Sequence, residues 1–314
     1  MNAILVLVAE RPELWAELLG DALPGREIRV GAPPGEGPDP AARPAAYVVT
    51  DRLPPGVLER LPALRALFSV NAGIERLLEE HAIPPSLPIV RMADDGLAEG
   101  MLEWVLAVVM GWHRNLFSYR DAQLRGAWEP LEERLARDRT VTVLGAGHLG
   151  APVAAMLARI GFSVRCWSRS PKRIERVSSF SGPEALGDAV AGADFLVNLL
   201  PLTPDTENIV DAALLRRLAR GAVLANAGRG RHVVDEAVLT ALDEGQLRAA
   251  VLDVFRAEPL PPGHPFWSHP GVFLHPHVAA PTVPRSAARR IADQIRALEG
   301  GRPLQDVVDR GRGY

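Results

Sequence analysis

Apolar and polar positions fall into two successive rhythms along the chain. The short apolar runs Ile4–Val8, Ile28–Val30, Tyr47–Val49 and Ala66–Val70 have the length and β-branched content of buried strands. Glu13–Leu19 and Ile74–Glu80 carry helical spacing, and the Pro- and Gly-rich Ala32–Pro44 reads as a loop. A βα rhythm of this kind predicts a parallel sheet covered by helices. Asp94-Asp95-Gly96 interrupts it, and one long helix is expected over about Ala98–Gln123. A more regular rhythm starts at Thr140, with strands at Val141–Leu144, Ser163–Trp167, Phe195–Leu200, Val223–Asn226, Ala249–Asp253 and Val272–Leu274. Pro281 and Pro284 mark a loop before a final amphipathic helix, Ala287–Leu298.

Composition narrows the class. At 314 residues two domains are expected, and 47% hydrophobic residues with a net charge of −3 describe a folded chain with no sequence-wide attraction to nucleic acid or anionic membrane. The most apolar helical stretch, Trp104–Trp112, is far shorter than the roughly 20 residues that span a bilayer. Ala3–Ala9 reads as a first strand, not as a signal segment. The single cysteine, Cys166, excludes an internal disulfide and suits a reducing compartment, so a cytoplasmic location is expected. No His, Cys and Asp cluster has the spacing of metal ligands.

The chemistry starts at Gly145. Strand 141–144 runs into Gly145-Ala146-Gly147-His148-Leu149-Gly150, and a helix follows from Ala151. In Gly-x-Gly-x-x-Gly the first glycine allows the tight turn, the second lets backbone approach a pyrophosphate, and the third packs helix on strand. The helix N-terminus then presents free N–H groups to phosphate. A dinucleotide domain is therefore expected at 96–280, inserted into a smaller flavodoxin-like substrate domain made of 1–95 and 281–314. The fold class is α/β, with two Rossmann-like, doubly wound parallel sheets. After the second strand, where an NAD site places Asp or Glu against the ribose, stand Ser168-Arg169-Ser170-Pro171-Lys172. Two cations and two hydroxyls without an acid suit a 2′-phosphate, so NADPH is expected over NADH. The same residues would also make a solvated basic turn.

Three more segments follow predicted strands on the same sheet edge: Ala225-Asn-Ala227-Gly-Arg229-Gly230, Leu252-Asp253-Val-Phe-Arg-Ala-Glu258-Pro259, and Leu274-His275-Pro276-His277-Val278-Ala279-Ala280. Arg, Glu and His together form a proton-transfer device with an anion clamp. Taken singly, Glu258 reads better as a surface acid, and His275 competes with His277, with Pro276 implying an extended chain that points the two apart.

With these motifs, and with Asn71-Ala72-Gly73, Cys166-Trp-Ser-Arg169, Asn198-Leu-Leu200-Pro201 and the closing Val308–Tyr314, the chain resembles the D-isomer-specific 2-hydroxyacid dehydrogenases, most of all their glyoxylate/hydroxypyruvate reductase A group. The resemblance runs nearly end to end and selects His277, the histidine directly preceded by Pro and followed by small apolar residues. It implies that Arg229 binds the substrate carboxylate and polarises its keto oxygen. His277 would be the general acid, and Glu258 would hold it and raise its pKa. Asn71, Ala72 and Gly73 would serve the substrate carboxylate, chiefly through the N–H groups of Ala72 and Gly73. Gly145 to Gly150, Ser168, Arg169, Ser170, Lys172, Leu200, Pro201, Ala227 and Asp253 would contact the cofactor, Asp253 facing the nicotinamide carboxamide.

It also implies a homodimer involving the long helix, on which Trp104, Met110 and Trp112 form a buried or intersubunit face. His113 and His81 are expected to be packed or solvated, and His148 to rim the phosphates. Two departures touch substrate choice: Asn71 stands where relatives often carry Gly, and Thr50-Asp51-Arg52 stands where they commonly carry an aromatic residue. The implied activity is NADPH-dependent reduction of glyoxylate or hydroxypyruvate. The other readings are a dehydrogenase of bulkier keto acids and a nucleotide-sensing, corepressor-like interaction protein.

Overall fold

The computed structural model describes residues 2–31, 43–80 and 83–311. Most of the Ala32–Pro44 stretch, His81 and the last three residues of the closing motif lie outside them. The chain divides into two compact units, Met1–Leu97 with Thr282–Tyr314, and Ala98–Pro281. The first border falls two residues beyond Asp95/Gly96 because the Asp94 carboxylate accepts the Leu97 N–H at 3.1 Å, which ties the first helical turn to the first unit.

The first unit opens with β1 (Ile4–Leu7), α1 (Pro12–Ala22), β2 (Ile28–Val30), β3 (Tyr47–Thr50), β4 (Ala66–Ser69), α2 (Glu75–Glu80) and β5 (Ile89–Val90). Helix α3 (Asp95–His113) straddles the border, and α4 (Leu116–Leu124), β6 (Thr140–Leu144), α5 (Gly150–Ile160), β7 (Ser163–Ser168) and β8 (Val177–Ser181) follow. Next come α6 (Leu186–Val190), β9 (Phe195–Asn198), α7 (Ala212–Leu215), β10 (Ala222–Asn226), α8 (Asp235–Asp243), β11 (Leu247–Leu252) and β12 (Val272–Leu274). Helix α9 (Pro284–Glu299) returns to the first unit.

Among the described residues, β2-β1-β3-β4-β5 form a five-stranded parallel sheet, the flavodoxin-like order. Strand alternation separates its two cores. Ile4, Val6, Tyr47, Val49 and Phe68 pack on α1 and α9 through Trp15, Leu19, Ile291 and Ile295. Leu5, Leu7, Val48, Leu67 and Ile89 pack on the other face with Leu53, Val57, Leu61 and Ile74. Burial on both faces is why these strands read as unbroken apolar runs.

The second unit holds a seven-stranded parallel sheet, β12-β11-β10-β9-β6-β7-β8, which is the doubly wound dinucleotide order with one extra strand. Its β6, β9, β10 and β11 cover one core with α3 and α5, through Val105, Val109, Trp112, Val153 and Leu157. The other core gathers Leu144, Leu196, Leu224 and Leu252 with Leu214, Leu215 and Val238.

Three expectations change. The single helix over Ala98–Gln123 is two helices, broken at Asn115 in the left-handed region with φ 56°. Asn tolerates that conformation, and its side chain is engaged from afar, accepting from Arg248 at 2.9 Å and donating to Glu133 at 3.3 Å. Strand β8 adds a seventh strand to the six expected; as a Ser-rich edge it lacks the apolar run that would announce it. Strand β5, two residues long, was too short to read. His113 is packed, 4% exposed against the Phe162 ring, and burial pushes its pKa down.

Candidate active site

Around β6 the chain of the second unit winds outward in both directions, and the loops after β6 and β9 flank that reversal. Ligands of such sheets lie outside the carboxyl ends of the strands at this point. The glycines there differ in what holds them small. A Cβ on Gly150 would fall 1.7 Å from the Gly145 carbonyl oxygen, and one on Gly145, at φ 98°, would fall 2.8 Å from Leu199 O. Helix–strand packing thus dictates Gly150, and the turn conformation with the backbone of the loop after β9 dictates Gly145. A Cβ on Gly147 would meet nothing within 4 Å, so protein packing does not require that glycine, whereas close backbone approach by a phosphate would. Ala146 is buried, Gly147 and His148 are exposed, and Leu149, at the N-terminus of α5, gives no side-chain cap to its N–H groups. These features fit a dinucleotide pyrophosphate.

Beyond β7, Ser168 is buried and its hydroxyl donates to the Ser170 carbonyl at 2.8 Å, so it shapes the turn. Arg169, Ser170, Lys172 and Arg173 are exposed, with no acid among residues 168–173. Arg173 is a further cation that the sequence reading passed over.

The second unit brings Arg229, Glu258 and His277 together. His277 Nδ1 lies 2.7 Å from Glu258 Oε2, and Glu258 Oε1 accepts the Phe255 N–H at 2.9 Å. The hydrogen bond to Glu258 raises the His277 pKa; burial opposes it, the Glu258 charge adds to it and the Arg229 charge subtracts. Burial would lift the Glu258 carboxyl, but hydrogen bonds from His277 and Phe255 and the charges of His277 and Arg229 bring it below its ordinary value. Arg229 acts on both partners, so its guanidinium stands within electrostatic reach of each. The arrangement favours the protonated imidazole and sets a guanidinium within electrostatic reach of it. His275 is committed elsewhere, its Nδ1 accepting the Trp104 indole N–H at 2.8 Å.

One reading of this segment is corrected. The chain turns at His277, with φ 57°, and does not run extended past Pro276. Asp253, 2% exposed, accepts from Val278 N at 2.8 Å and Ala279 N at 3.0 Å, while its carbonyl takes His277 N at 2.9 Å. Its carboxylate therefore braces the histidine turn, whatever else it faces.

Behind Arg229 lies a buried polar layer that sequence reasoning missed, comprising Asn198, Asn226 and His232, each 0% exposed. It links the Arg229 turn to Leu200 and Pro201, the latter accepting from Thr206 Oγ1 at 2.8 Å. Ala227 is half-buried, its N–H held by Asn198 O at 3.2 Å. The recurring Asn-ending strands Phe195–Asn198 and Ala222–Asn226 were the available signal.

In the first unit, Asn71, Ala72 and Gly73 follow β4 at the carboxyl edge of its sheet, Asn71 N donating to Ser69 Oγ at 3.0 Å. Asp51 is tied back to the β1 loop, accepting Ala9 N–H at 3.1 Å, and Arg52 is exposed. Among the described residues, no group of three or more His, Cys, Asp and Glu could hold a metal ion, and no helix is long and apolar enough to cross a membrane.

Comparison with known proteins identifies the family. Residues 106–279, all inside the second unit, match the model of the D-isomer specific 2-hydroxyacid dehydrogenase NAD binding domain. The glyoxylate/hydroxypyruvate reductase A of Serratia proteamaculans is 41% identical over 319 residues, covering 100% of both chains. A D-isomer specific 2-hydroxyacid dehydrogenase from Xanthobacter autotrophicus, solved with NADPH and MES, superposes with a TM-score of 0.94 at 37% identity, over 100% of this chain and 99% of that one. The NADPH-dependent glyoxylate/hydroxypyruvate reductase of Sinorhizobium meliloti, solved with NADP and sulfate, gives 0.92 at 37% identity over 100% of both chains. The chain belongs to the D-isomer specific 2-hydroxyacid dehydrogenase family.

Proposed function

We propose that this chain reduces small 2-keto acids with NADPH, taking glyoxylate to glycolate and hydroxypyruvate to glycerate. The 2.7 Å pairing of His277 with Glu258, beside the Arg229 charge, carries the reading. NADPH, when bound along the glycine loop, supplies the hydride. Arg229 holds the substrate carboxylate by charge-assisted hydrogen bonds and draws electron density toward the keto oxygen. His277 donates its proton to that oxygen as negative charge develops there, and Glu258 keeps the ring oriented and the imidazolium favoured. Arg169, Ser170 and Lys172 serve the 2′-phosphate.

The same reading includes a cytoplasmic location and a homodimer. The homodimer is supported by exposed apolar side chains on α4 and the segment after it: Leu116 is 61% exposed, Leu124 70%, Trp128 96% and Leu135 50%. Following loss of reduced-nicotinamide absorbance with glyoxylate, hydroxypyruvate and phenylpyruvate, each with NADPH and NADH, tests substrate and cofactor together. Glyoxylate with NADPH is expected to be turned over most efficiently; preference for phenylpyruvate would move the assignment to bulkier keto acids. His277→Ala should lower kcat by about 10²–10⁴-fold with NADPH affinity retained, and near-parental turnover would remove the assignment of the acid.

A further inference from the structure

His232 is fully buried in the short helical turn Gly230–His232, and the proton-transfer scheme makes no use of it. Its Nδ1 receives the Arg229 backbone N–H at 3.0 Å and lies 2.9 Å from Asn198 Nδ2. A backbone N–H can only donate, so Nδ1 is an acceptor without a proton, and the ring's proton sits on Nε2. That nitrogen faces the Pro201 carbonyl at 3.2 Å. The Arg229 backbone is held on both sides of its Cα, because its carbonyl accepts from Asn226 Nδ2 at 3.1 Å. Asn226 is itself held by Asn198 Nδ2 at 2.8 Å. Gly228 leaves room for the ring, since a Cβ there would stand 2.9 Å from His232 Nδ1.

We propose that His232, as the neutral Nε2–H tautomer, is a positioning residue for the substrate clamp. One ring fixes the backbone from which the Arg229 guanidinium projects and ties it to the Leu200-Pro201 stretch after the neighbouring strand. An arginine binds a small anion well only if its stem starts from a set place, because a long side chain otherwise loses rotamer entropy on binding. The inference rests on the 2-keto acid reading for its kinetic consequence, while the tautomer claim stands on the geometry alone.

Two substitutions separate positioning from packing. His232→Asn keeps an acceptor oxygen near the place of Nδ1 and gives up the Pro201 bond. His232→Gln keeps a donor near the place of Nε2 and gives up the acceptor for Arg229. His232→Gln should lose about tenfold in kcat/KM for glyoxylate, the scale of one lost hydrogen bond at the clamp, mostly as a raised KM. Inhibition by oxamate should weaken in step, and NADPH affinity by fluorescence should stay unchanged. His232→Asn should remain within about threefold of the parent. Parental kinetics in His232→Gln, or equal losses in both variants, would overturn the proposal.

If His232→Gln does not fold, Asn198→Asp puts the same question with the ring in place. A carboxylate beside Nδ1 favours a proton there, Arg229 N–H loses its acceptor, and the same rise in KM is expected; an unchanged KM overturns the proposal. A parent enzyme inactive on every 2-keto acid would refute the reductase reading separately. Nitrogen NMR of isotope-labelled histidine then decides on His232 without turnover: a bare Nδ1 with protonated Nε2 at neutral pH supports it, and a protonated Nδ1 overturns it.

Discussion

His277 adopts φ 57°, a backbone region that non-glycine residues enter rarely and only when their surroundings hold them there. Asp253 does the holding, through its own carbonyl and through a carboxylate that takes the next two N–H groups. The segment's residues, Pro276 included, suggested an extended path, because nothing local in them reveals that a buried carboxylate from β11's end waits for those donors. The pairing of His277 with Glu258 sets a pH dependence whose sign follows from the raised imidazole pKa. Under the proposed mechanism reduction needs the protonated ring, so kcat is expected to be high below that pKa and to fall as pH rises through it. Glu258→Gln removes the raising interaction, and the falling limb should move down toward the ordinary value of 6.5. A pH–kcat profile checks it, and an unmoved limb would detach Glu258 from the histidine. Arg169→Ala should raise KM for NADPH much more than for NADH; equal increases would remove the case for 2′-phosphate selectivity.

Secondary-structure elements were most legible where both faces are buried. The strands of the two cores, such as β3, β9 and β10, are continuous apolar runs bounded by turn residues, and their positions follow from burial alone. The edge strand β8, rich in serine, and the break at Asn115 were not legible, since each depends on partners distant in sequence. The glycine loop separates two kinds of constraint that one motif conceals. Gly150→Ala places a methyl against the Gly145 carbonyl and should destabilise by about 1–3 kcal/mol or more, seen as a lower thermal transition without cofactor. Gly147→Ala meets no protein atom within 4 Å, so it should leave that transition in place while weakening NADPH binding. A Gly147→Ala protein with parental NADPH affinity would contradict a pyrophosphate seated on this loop.

For the whole molecule, Leu116, Leu124, Trp128 and Leu135 expose large apolar side chains on α4 and the segment after it, which the proposed homodimer would cover. Sedimentation should give a dimer, and the double variant Leu124→Glu with Trp128→Glu should shift it toward monomer; a parent that sediments as monomer would refute the association. Sequence alone determined the family, the two βα rhythms and the glycine loop, and it singled out Arg229, Glu258 and His277 as candidates, because periodic burial and a dense motif set are local properties of the chain. Only tertiary structure decided that Glu258 meets His277 while His275 meets Trp104, that Asp253 braces the histidine turn, and that His232 joins Arg229 to Pro201. Apart from the local Arg229–His232 bond, each of those contacts joins segments 19 or more residues apart, and a hydrogen bond between groups so far apart in the chain has no signature until tertiary packing brings them together.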